Sequence, residues 1–392
     1  MHARLVLFGV VVGGLWLLAA YGVARVSFRG FRAPMRRRLR AVVLVAAALP
    51  IVTMVVGRGG AAGRGWLPLV GFSILGWLSI FFAGAAAVHG AAALVRWARR
   101  RDRTGGRPRP ADPSRRAFLQ RGVDAALMGG AGALSVAGYA EAVRLPRTVT
   151  VEVPIAGLAP GLDGYTIVQL SDVHVGPTIG RAYLQGLVDR ARALAPDLVA
   201  VTGDLVDGFV PDLAAEVEPL RELHAPDGVF FVTGNHEYYW DAPAWCDHLR
   251  TLGIVVLQNE HRVVAHDRGG LVIAGVFDHR GDRFVPGHAP DPAGALSGAP
   301  EGVPAVVLAH QPRTARACVR AGAGLVLCGH THGGQYFPMN LLVGLVQPFV
   351  AGLARVDAAW VYVSRGSGYW GPPNRLGAPA EITRIVLRAA PA

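Results

Sequence analysis

Long apolar segments dominate the first 145 residues of the chain. Three of them, Leu5–Ala24, Ala41–Gly57 and Leu67–Val95, approach or exceed the ~20 apolar residues that a helix needs to cross a bilayer. A fourth, Gly122–Val143, is rich in glycine and alanine and is a weaker candidate. We therefore expect three transmembrane helices within residues 1–98. We expect residues 122–145 to form a fourth apolar segment that acts as a signal-anchor.

The pattern changes at Val149, where short β-branched runs begin to alternate with segments of helical spacing. Helical spacing is present in Arg181–Leu194 and Pro312–Ala321. Strands that are buried on both faces have continuous apolar runs, and the alternation of such runs with helices predicts an α/β domain over residues 149–392. The predicted strands are Thr166–Leu170, Leu198–Thr202, Val229–Thr233, Ile254–Leu257, Val272–Val276, Ala305–Ala309, Leu325–Cys328 and Val361–Ser364.

The charge is divided unevenly between these two parts. The chain has a net charge of +12 and a pI of about 10.5, values that can indicate a nucleic-acid-binding protein. However, residues 1–150 hold 22 arginines against 4 acidic residues, whereas residues 151–392 hold 17 against 23. Because the basic excess lies entirely in the apolar part, we expect no nucleic-acid partner. We expect the lipid bilayer instead.

The arginines also predict how the chain crosses the membrane. They concentrate in Arg25–Arg40 and Arg96–Arg121, with seven and ten arginines respectively. Loops rich in arginine stay on the cytoplasmic side. If residues 122–145 then cross the bilayer, the chain is a multi-pass protein of the cell membrane, and the α/β domain is extracytoplasmic.

An arginine-rich cytoplasmic linker, residues 99–121, precedes the fourth apolar segment. It ends in SRRAFLQ, Ser114–Gln120. Paired arginines, then Phe-Leu, then a weakly apolar stretch resemble a twin-arginine export signal, which moves domains that are already folded. Chance pairing in so basic a loop is the alternative. We expect an uncleaved anchor, although cleavage after Ala140 is the other outcome.

Polar side chains follow five of the predicted strands. Sites in α/β sheets form at the carboxyl ends of the strands, so we expect these side chains to meet. Carboxylate, amide and imidazole donors suit Mn, Fe, Zn, Co or Ni rather than a thiol-loving ion, and this many donors favours two divalent ions. In chain order the side chains are Asp172, His174, Asp204, Asp207, Asn235, His236, Glu237, His310, His330 and His332.

The motifs around these side chains are Asp-x-His, Gly-Asp-x-x-Asp, Gly-Asn-His-Glu, a lone strand-end His and Gly-His-Thr-His. In this order they resemble the calcineurin-like metallophosphoesterase superfamily, most closely its bacterial membrane-associated phosphodiesterase branch. The resemblance implies a two-sheet sandwich flanked by helices, with residues 149–392 as the catalytic domain. This fold would follow an all-α transmembrane region.

Carried over position by position, the resemblance implies two divalent metal ions and one catalytic histidine. His236 would contact the phosphate and protonate the leaving oxygen, while Asp207 and Glu237 would support the ligands. The implied metal ligands are Asp172, His174 and His332 for one ion, Asn235, His310 and His330 for the other, and Asp204 bridging both.

The resemblance implies a metal-dependent hydrolase of phosphate esters, in which a metal-bridging hydroxide attacks phosphorus. A membrane anchor favours phosphodiesters or pyrophosphates in lipids or cell-envelope metabolites. A phosphomonoesterase, including a protein phosphatase, is the second hypothesis, and a non-catalytic membrane sensor or scaffold is the third. The sequence leaves open the substrate, the metal and the oligomeric state. It also leaves open whether Arg365, Asp278 or Tyr238–Trp240 contact substrate.

Overall fold

The computed structural model describes residues 2–56, 65–101, 112–267 and 269–390. Residues 102–111 of the predicted linker, and Gly57 at the end of the predicted second span, lie outside the described residues. The chain divides into two units. One comprises the residues up to Tyr139 together with Pro372–Asn374, and the other comprises Ala140–Gly371 together with the residues from Arg375 onward.

Four helices form the N-terminal part of the described chain. Stretches of the second and third, Ala33–Val55 and Trp66–Ala98, are long and apolar enough to cross a membrane. The apolar stretch described in the first helix, Val11–Val26, is shorter. The fourth helix begins at a proline, which is favourable in a first turn, so Ser114–Gln120 lies within a helix. The four helices are α1 (His2–Val26), α2 (Ala33–Val56), α3 (Trp66–Arg101) and α4 (Pro113–Val143).

Two six-stranded mixed sheets make up the second unit. The first sheet contains β1 (Arg147–Ala156), β2 (Thr166–Leu170), β3 (Leu198–Val201), β4 (Val229–Phe231), β5 (Val255–Val256) and β12 (Glu381–Ala390), in the order β1-β12-β2-β3-β4-β5. The second contains β6 (Glu260–His266), β7 (Gly269–Gly275), β8 (Ala305–Leu308), β9 (Leu325–Cys328), β10 (Gly352–Val356) and β11 (Ala359–Val363), in the order β10-β11-β9-β8-β7-β6. Strands β2 to β5 are parallel, and so are β7, β8, β9 and β11.

Among the described residues, seven short α-helices connect these strands. They are α5 (Arg181–Ala193), α6 (Val210–Val217), α7 (Asn235–Tyr239), α8 (Ala242–Thr251), α9 (Pro292–Leu296), α10 (Ala315–Arg320) and α11 (Met339–Leu342).

The core is layered because both faces of the central strands are buried. Successive side chains of a strand point to opposite faces. Ile167 of β2 therefore packs between the sheets with Leu308 of β8, whereas its neighbour Val168 packs on the outer face of the first sheet with Leu184 of α5. Gln169 also ties the sheets together, because its amide donates to the Cys328 carbonyl at 2.9 Å. The predicted two-sheet sandwich flanked by helices is confirmed.

Candidate metal centre

The five strands that carry the predicted ligands deliver them to one region. Strands β2, β3 and β4 are parallel neighbours in the first sheet, and β8 and β9 are parallel neighbours in the second. Asp172 follows β2 and His330 follows β9. The His330 backbone amide donates to both carboxylate oxygens of Asp172, at 2.9 and 3.0 Å, so these two segments lie side by side. The two sheets therefore contribute to one site.

Asp172, His174 and His332 form the first ligand cluster. One ligand atom of each lies within 4.8 Å of the others, and all three residues are buried. His174 Nε2 faces His332 Nε2 at 3.0 Å, and Asp172 Oδ1 lies 3.4 Å from the same His332 nitrogen. Two ring nitrogens and a carboxylate oxygen thus converge on one point, as required for a divalent cation.

Asp204, His310 and His330 form the second cluster. His310 Nδ1 is 2.8 Å from the Thr202 carbonyl, which can only accept, so Nδ1 carries a proton, and in the neutral ring Nε2 then holds the lone pair. Nε2 lies 3.0 Å from Asp204 Oδ2, yet within the described residues it has no partner at hydrogen-bond angles. Such a buried imidazole nitrogen can bind a metal ion, because the hydrogen bond made by the other ring nitrogen fixes the tautomer.

Asn235 lies at the start of α7, next in the chain to His236, but its amide points to other side chains. Its Oδ1 is 3.5 Å from Gln311 Nε2, and its Nδ2 is 3.5 Å from the Tyr239 hydroxyl. Both contacts are long for hydrogen bonds. The role of Asn235 as a ligand stays a prediction.

Asp207 connects His236 to the first cluster. Its Oδ1 lies 2.5 Å from His236 Nδ1, and its Oδ2 lies 3.2 Å from His174 Nδ1. His236 Nε2 lies 4.0 Å from Asp204 Oδ2. Burial lowers the pKa of His236, but the carboxylates of Asp207 and Asp204 outweigh burial and raise that pKa to about 9. The His236 ring can therefore hold a proton on Nε2 beside the second cluster.

Glu237 fixes the backbone of two ligand-bearing segments. Its Oε2 accepts from the amides of Gly234 at 2.6 Å and Asp204 at 3.0 Å, and its Oε1 accepts from the Leu205 amide at 2.7 Å. Burial, reinforced by the negative charge of Asp204, raises the pKa of Glu237 to about 7. The supporting roles expected for Asp207 and Glu237 agree with these contacts.

The ligand segments have an unusual backbone. Left-handed φ values for side chains other than glycine cost roughly 1–2 kcal/mol each and tend to accumulate at functional sites. Close approach also demands Gly329, because a Cβ there would lie 2.2 Å from Asp172 Oδ2. Five of the predicted ligands have such φ values: Asp172 (52°), His174 (57°), Asp204 (50°), His330 (72°) and His332 (51°).

Arg375 is a site residue that the sequence did not reveal. It is buried, and its Nη1 donates to the carbonyls of Arg365 at 2.7 Å and His332 at 3.1 Å. Its Nη2 lies 3.0 Å from His332 Nδ1. Burial lowers the pKa of Arg375 to about 10, which leaves it charged. The guanidinium therefore holds the backbone of the segment that carries His332.

Aromatic rings flank His236, and one of them was also missed. The Trp370 ring lies 5.6 Å from the His236 ring, and the Tyr239 ring lies 5.0 Å from it. Trp370 is held through its backbone, which exchanges two hydrogen bonds with the Gln335 amide group, at 2.8 and 2.9 Å. Tyr238 instead bonds His288 at 3.0 Å. Of the two tyrosines, Tyr239 is therefore the one beside the catalytic candidate.

Three other residues that the sequence left open have protein partners. Arg365 Nη1 pairs with Glu381 Oε2 at 3.1 Å. Asp278 Oδ2 accepts from Gln311 Nε2 at 2.9 Å, and the Trp240 ring packs edge-on against Phe209. These contacts explain the three side chains without a substrate.

The donor set suits a divalent metal centre. Both clusters offer only carboxylate oxygens and imidazole nitrogens. The nearest cysteine in the chain, Cys328, is a buried free thiol whose pKa is raised well above its usual value by burial. Oxygen and nitrogen donors without thiolates match divalent first-row transition metals.

Comparison with known proteins identifies the family. Residues 165–334 match the family model for calcineurin-like phosphoesterases. The chain is 41% identical over 265 residues to a transmembrane protein with metallophosphoesterase domain from Danio rerio, an alignment that covers 66% of this chain and 61% of that one. It thus spans about three fifths of that relative.

Two bacterial relatives are covered more completely. An uncharacterised metallophosphoesterase of Campylobacter jejuni is 36% identical over 260 residues, covering 65% of this chain and 67% of its own length. The uncharacterised metallophosphoesterase YkuE of Bacillus subtilis is 32% identical over 291 residues, covering 70% and 98%. The clusters, the motif order and these alignments agree, and the chain belongs to the calcineurin-like phosphoesterase family.

Proposed function

We propose that the chain is a membrane-anchored hydrolase that uses two divalent metal ions to cleave phosphate esters. Its preferred substrates would be phosphodiesters or pyrophosphates in lipids or cell-envelope metabolites. The observation that carries the proposal is the convergence of two ligand clusters beside the Asp207–His236 pair. A structural histidine needs one hydrogen-bond partner, whereas this region brings together five buried or half-buried imidazoles and three carboxylates.

The two clusters would hold the two ions. Asp172, His174 and His332 would bind one ion, Asn235, His310 and His330 the other, and Asp204 would contribute to both. When bound, such ions generate a nucleophile from water at neutral pH and neutralise charge on the phosphate.

His236 would supply the proton. Asp207 accepts from Nδ1 of His236, so Nε2 is the nitrogen left to donate to the leaving oxygen. A proton on the departing oxygen avoids an alkoxide and gives typically ~10²–10⁴-fold in rate. The rings of Trp370 and Tyr239, which stand beside His236, would exclude water from that side.

The location of the domain is part of the proposal. The relative from Danio rerio is named a transmembrane protein, and two of the helices in the described residues are long and apolar enough to cross a membrane. Arginine-rich segments at Arg25–Arg40 and Arg96–Arg121 favour a cytoplasmic position for those segments. The domain would then be extracytoplasmic, with SRRAFLQ as the export signal. A reporter fused after residue 150 that remained in the cytoplasm would refute this orientation.

The activity is tested on the full chain in detergent. The protein is stripped with a chelator and reloaded with Mn, Fe, Co, Ni or Zn, and bound metal is counted by mass spectrometry. Hydrolysis of bis(p-nitrophenyl) phosphate and of p-nitrophenyl phosphate then ranks diester against monoester. We expect metal-dependent turnover that falls ~10²–10⁴-fold in His236→Ala without loss of bound metal.

Two further variants sharpen the result. Asp204→Asn should lose both metal and turnover, whereas His224→Ala, at an exposed histidine of the same domain, should change neither. Binding of two ions without turnover on either ester would favour a sensor or scaffold. Failure to bind any divalent ion would overturn the mechanism.

A further inference from the structure

An exposed apolar segment begins five residues after the predicted ligand His332. It comprises residues 337–349, FPMNLLVGLVQPF, and holds no charged side chain. Leu341 is 69% exposed, Leu345 80% and Val346 62%, and Met339 and Leu342 are also exposed. Within the described part of the chain, residues 339–346 belong to none of the three buried cores. A concentration of exposed apolar side chains marks an interaction surface.

The segment is built so that these side chains stay outward. The near end of the segment is held by the Phe337 backbone amide, which donates to the Leu376 carbonyl at 3.0 Å. At the far end Arg313 Nη2 donates to the Val346 carbonyl at 2.6 Å, and Phe349 packs on the core of the second sheet. Both ends of the segment are therefore held, and its middle projects.

Charge around the segment favours a lipid surface. Arg313 and Arg316 are exposed, and they lie at its base, with the Arg316 guanidinium 5.7 Å from the centre of the Phe349 ring. This arrangement suits the surface of a bilayer. The apolar side chains can enter the boundary of the acyl chains, and the arginines at the base of the segment can bind the phosphate headgroups. The chain also carries its own candidate membrane spans, and only residues 144–146 separate α4 from β1.

We propose that the apolar segment 337–349 inserts into the surface of the bilayer and holds the metal centre against lipid headgroups. The segment begins two residues after Gln335, which bonds the backbone of Trp370, whose ring lies beside His236. The proposed insertion depends on the proposed function only in that the substrate is taken to be a lipid. Insertion itself requires no hydrolysis.

The test places an environment-sensitive dye on the segment. Leu345→Cys is labelled with a nitrobenzoxadiazole maleimide in the full chain, reconstituted in nanodiscs of phosphatidylcholine and phosphatidylglycerol. The native thiols of Cys246, Cys318 and Cys328 are buried and their pKa values are raised by that burial, so they should resist labelling. Val263→Cys is the matched control, because Val263 is 44% exposed on β6, at the sheet edge opposite β10.

We expect spin-labelled lipids to quench the dye at position 345 and aqueous iodide to spare it. The quenching should be stronger for labels near the glycerol backbone than for labels near the chain end, since interfacial insertion reaches about 5–10 Å. The dye at position 263 should behave in the opposite way. Iodide access at 345 equal to that at 263 overturns the proposal. Protection from both quenchers at 345 also overturns it, because a second copy or another protein would then cover the segment.

A second variant connects insertion to substrate. Leu341→Glu/Leu345→Glu should lower hydrolysis of a phosphodiester embedded in the nanodisc at least tenfold, while hydrolysis of bis(p-nitrophenyl) phosphate stays unchanged. Equal loss on both esters would mean that the segment shapes the site rather than contacts lipid. If the wild-type chain hydrolyses neither ester, the proposed function fails, and the dye result still decides whether the segment inserts.

Discussion

Replacing Asp207 with asparagine separates its two contacts without changing the size of the side chain. One carboxylate oxygen accepts from His236 Nδ1 at 2.5 Å, and the other lies 3.2 Å from His174 Nδ1, which has no partner at hydrogen-bond angles within the described residues. An amide has one oxygen and one NH₂ group. Whichever way the new amide turns, one of the two rings therefore meets a donor with its own N–H.

The cost can be worked out from this mismatch. A buried donor without an acceptor costs about 1–3 kcal/mol, or roughly 5- to 150-fold. If the NH₂ group faces His174, the His174 proton moves to Nε2, the nitrogen that should bind metal, and affinity at the first cluster falls. If it faces His236, metal binding is kept and turnover falls instead. Similar supporting residues change metal affinity or activity by ~10–100-fold.

Metal titration and turnover measured on the same protein distinguish these outcomes. Asp207→Asn should lower at least one of the two quantities by about tenfold or more. Asp247→Asn is the control, since that carboxylate is 79% exposed and pairs only with Arg250 among the described residues. If Asp207→Asn matches wild type in both metal affinity and turnover, Asp207 does not position either imidazole, and our account of the site is wrong.

Three other perturbations test the surroundings of the clusters. Gly329→Ala should abolish binding at the first cluster, because its Cβ would lie 2.2 Å from Asp172 Oδ2; metal counting that still finds full occupancy would contradict this. Arg375→Lys keeps the charge but loses the two guanidinium nitrogens that contact His332. The domain should therefore be destabilised by about 2–4 kcal/mol, measured as a lower midpoint of thermal unfolding. An unchanged midpoint would refute the positioning role of Arg375. Removing metal with a chelator should lower the same midpoint by roughly 5–10 °C, and reloading should restore it; no shift would argue against ions bound at the two clusters.

The central strands could be predicted from the sequence because burial on both faces leaves a continuous apolar run. Strands β2 and β9 coincide with their predictions, and β3, β4 and β8 end within two residues of theirs. Strands β1, β6, β10 and β12 were missed. In β1 the less exposed positions alternate with exposed ones from Val149 to Ala156, a pattern that differs from the continuous apolar runs of the central strands, and its partner β12 is more than 200 residues away.

The ligands could be predicted for a related reason. Each ligand follows a strand closely in the chain, so the local sequence determines where it lies in the fold. The order of the ligand motifs along the chain is also the pattern that resembles the family. Arg375 and Trp370 have no such local mark. Arg375 follows a Gly-Pro-Pro-Asn stretch and acts on His332, 43 residues earlier. Its role arises from tertiary contacts, which a single sequence does not contain.

The origin of the ligands in both sheets has a consequence for folding. Asp172 follows β2 of the first sheet and His332 follows β9 of the second, yet both belong to one cluster. A chain in which either sheet is incomplete cannot present that cluster, so the cation binds only after long-range assembly. The free energy of cation binding then adds to the free energy of folding of both sheets together. Bound metal would therefore distinguish fully folded molecules from partly folded ones.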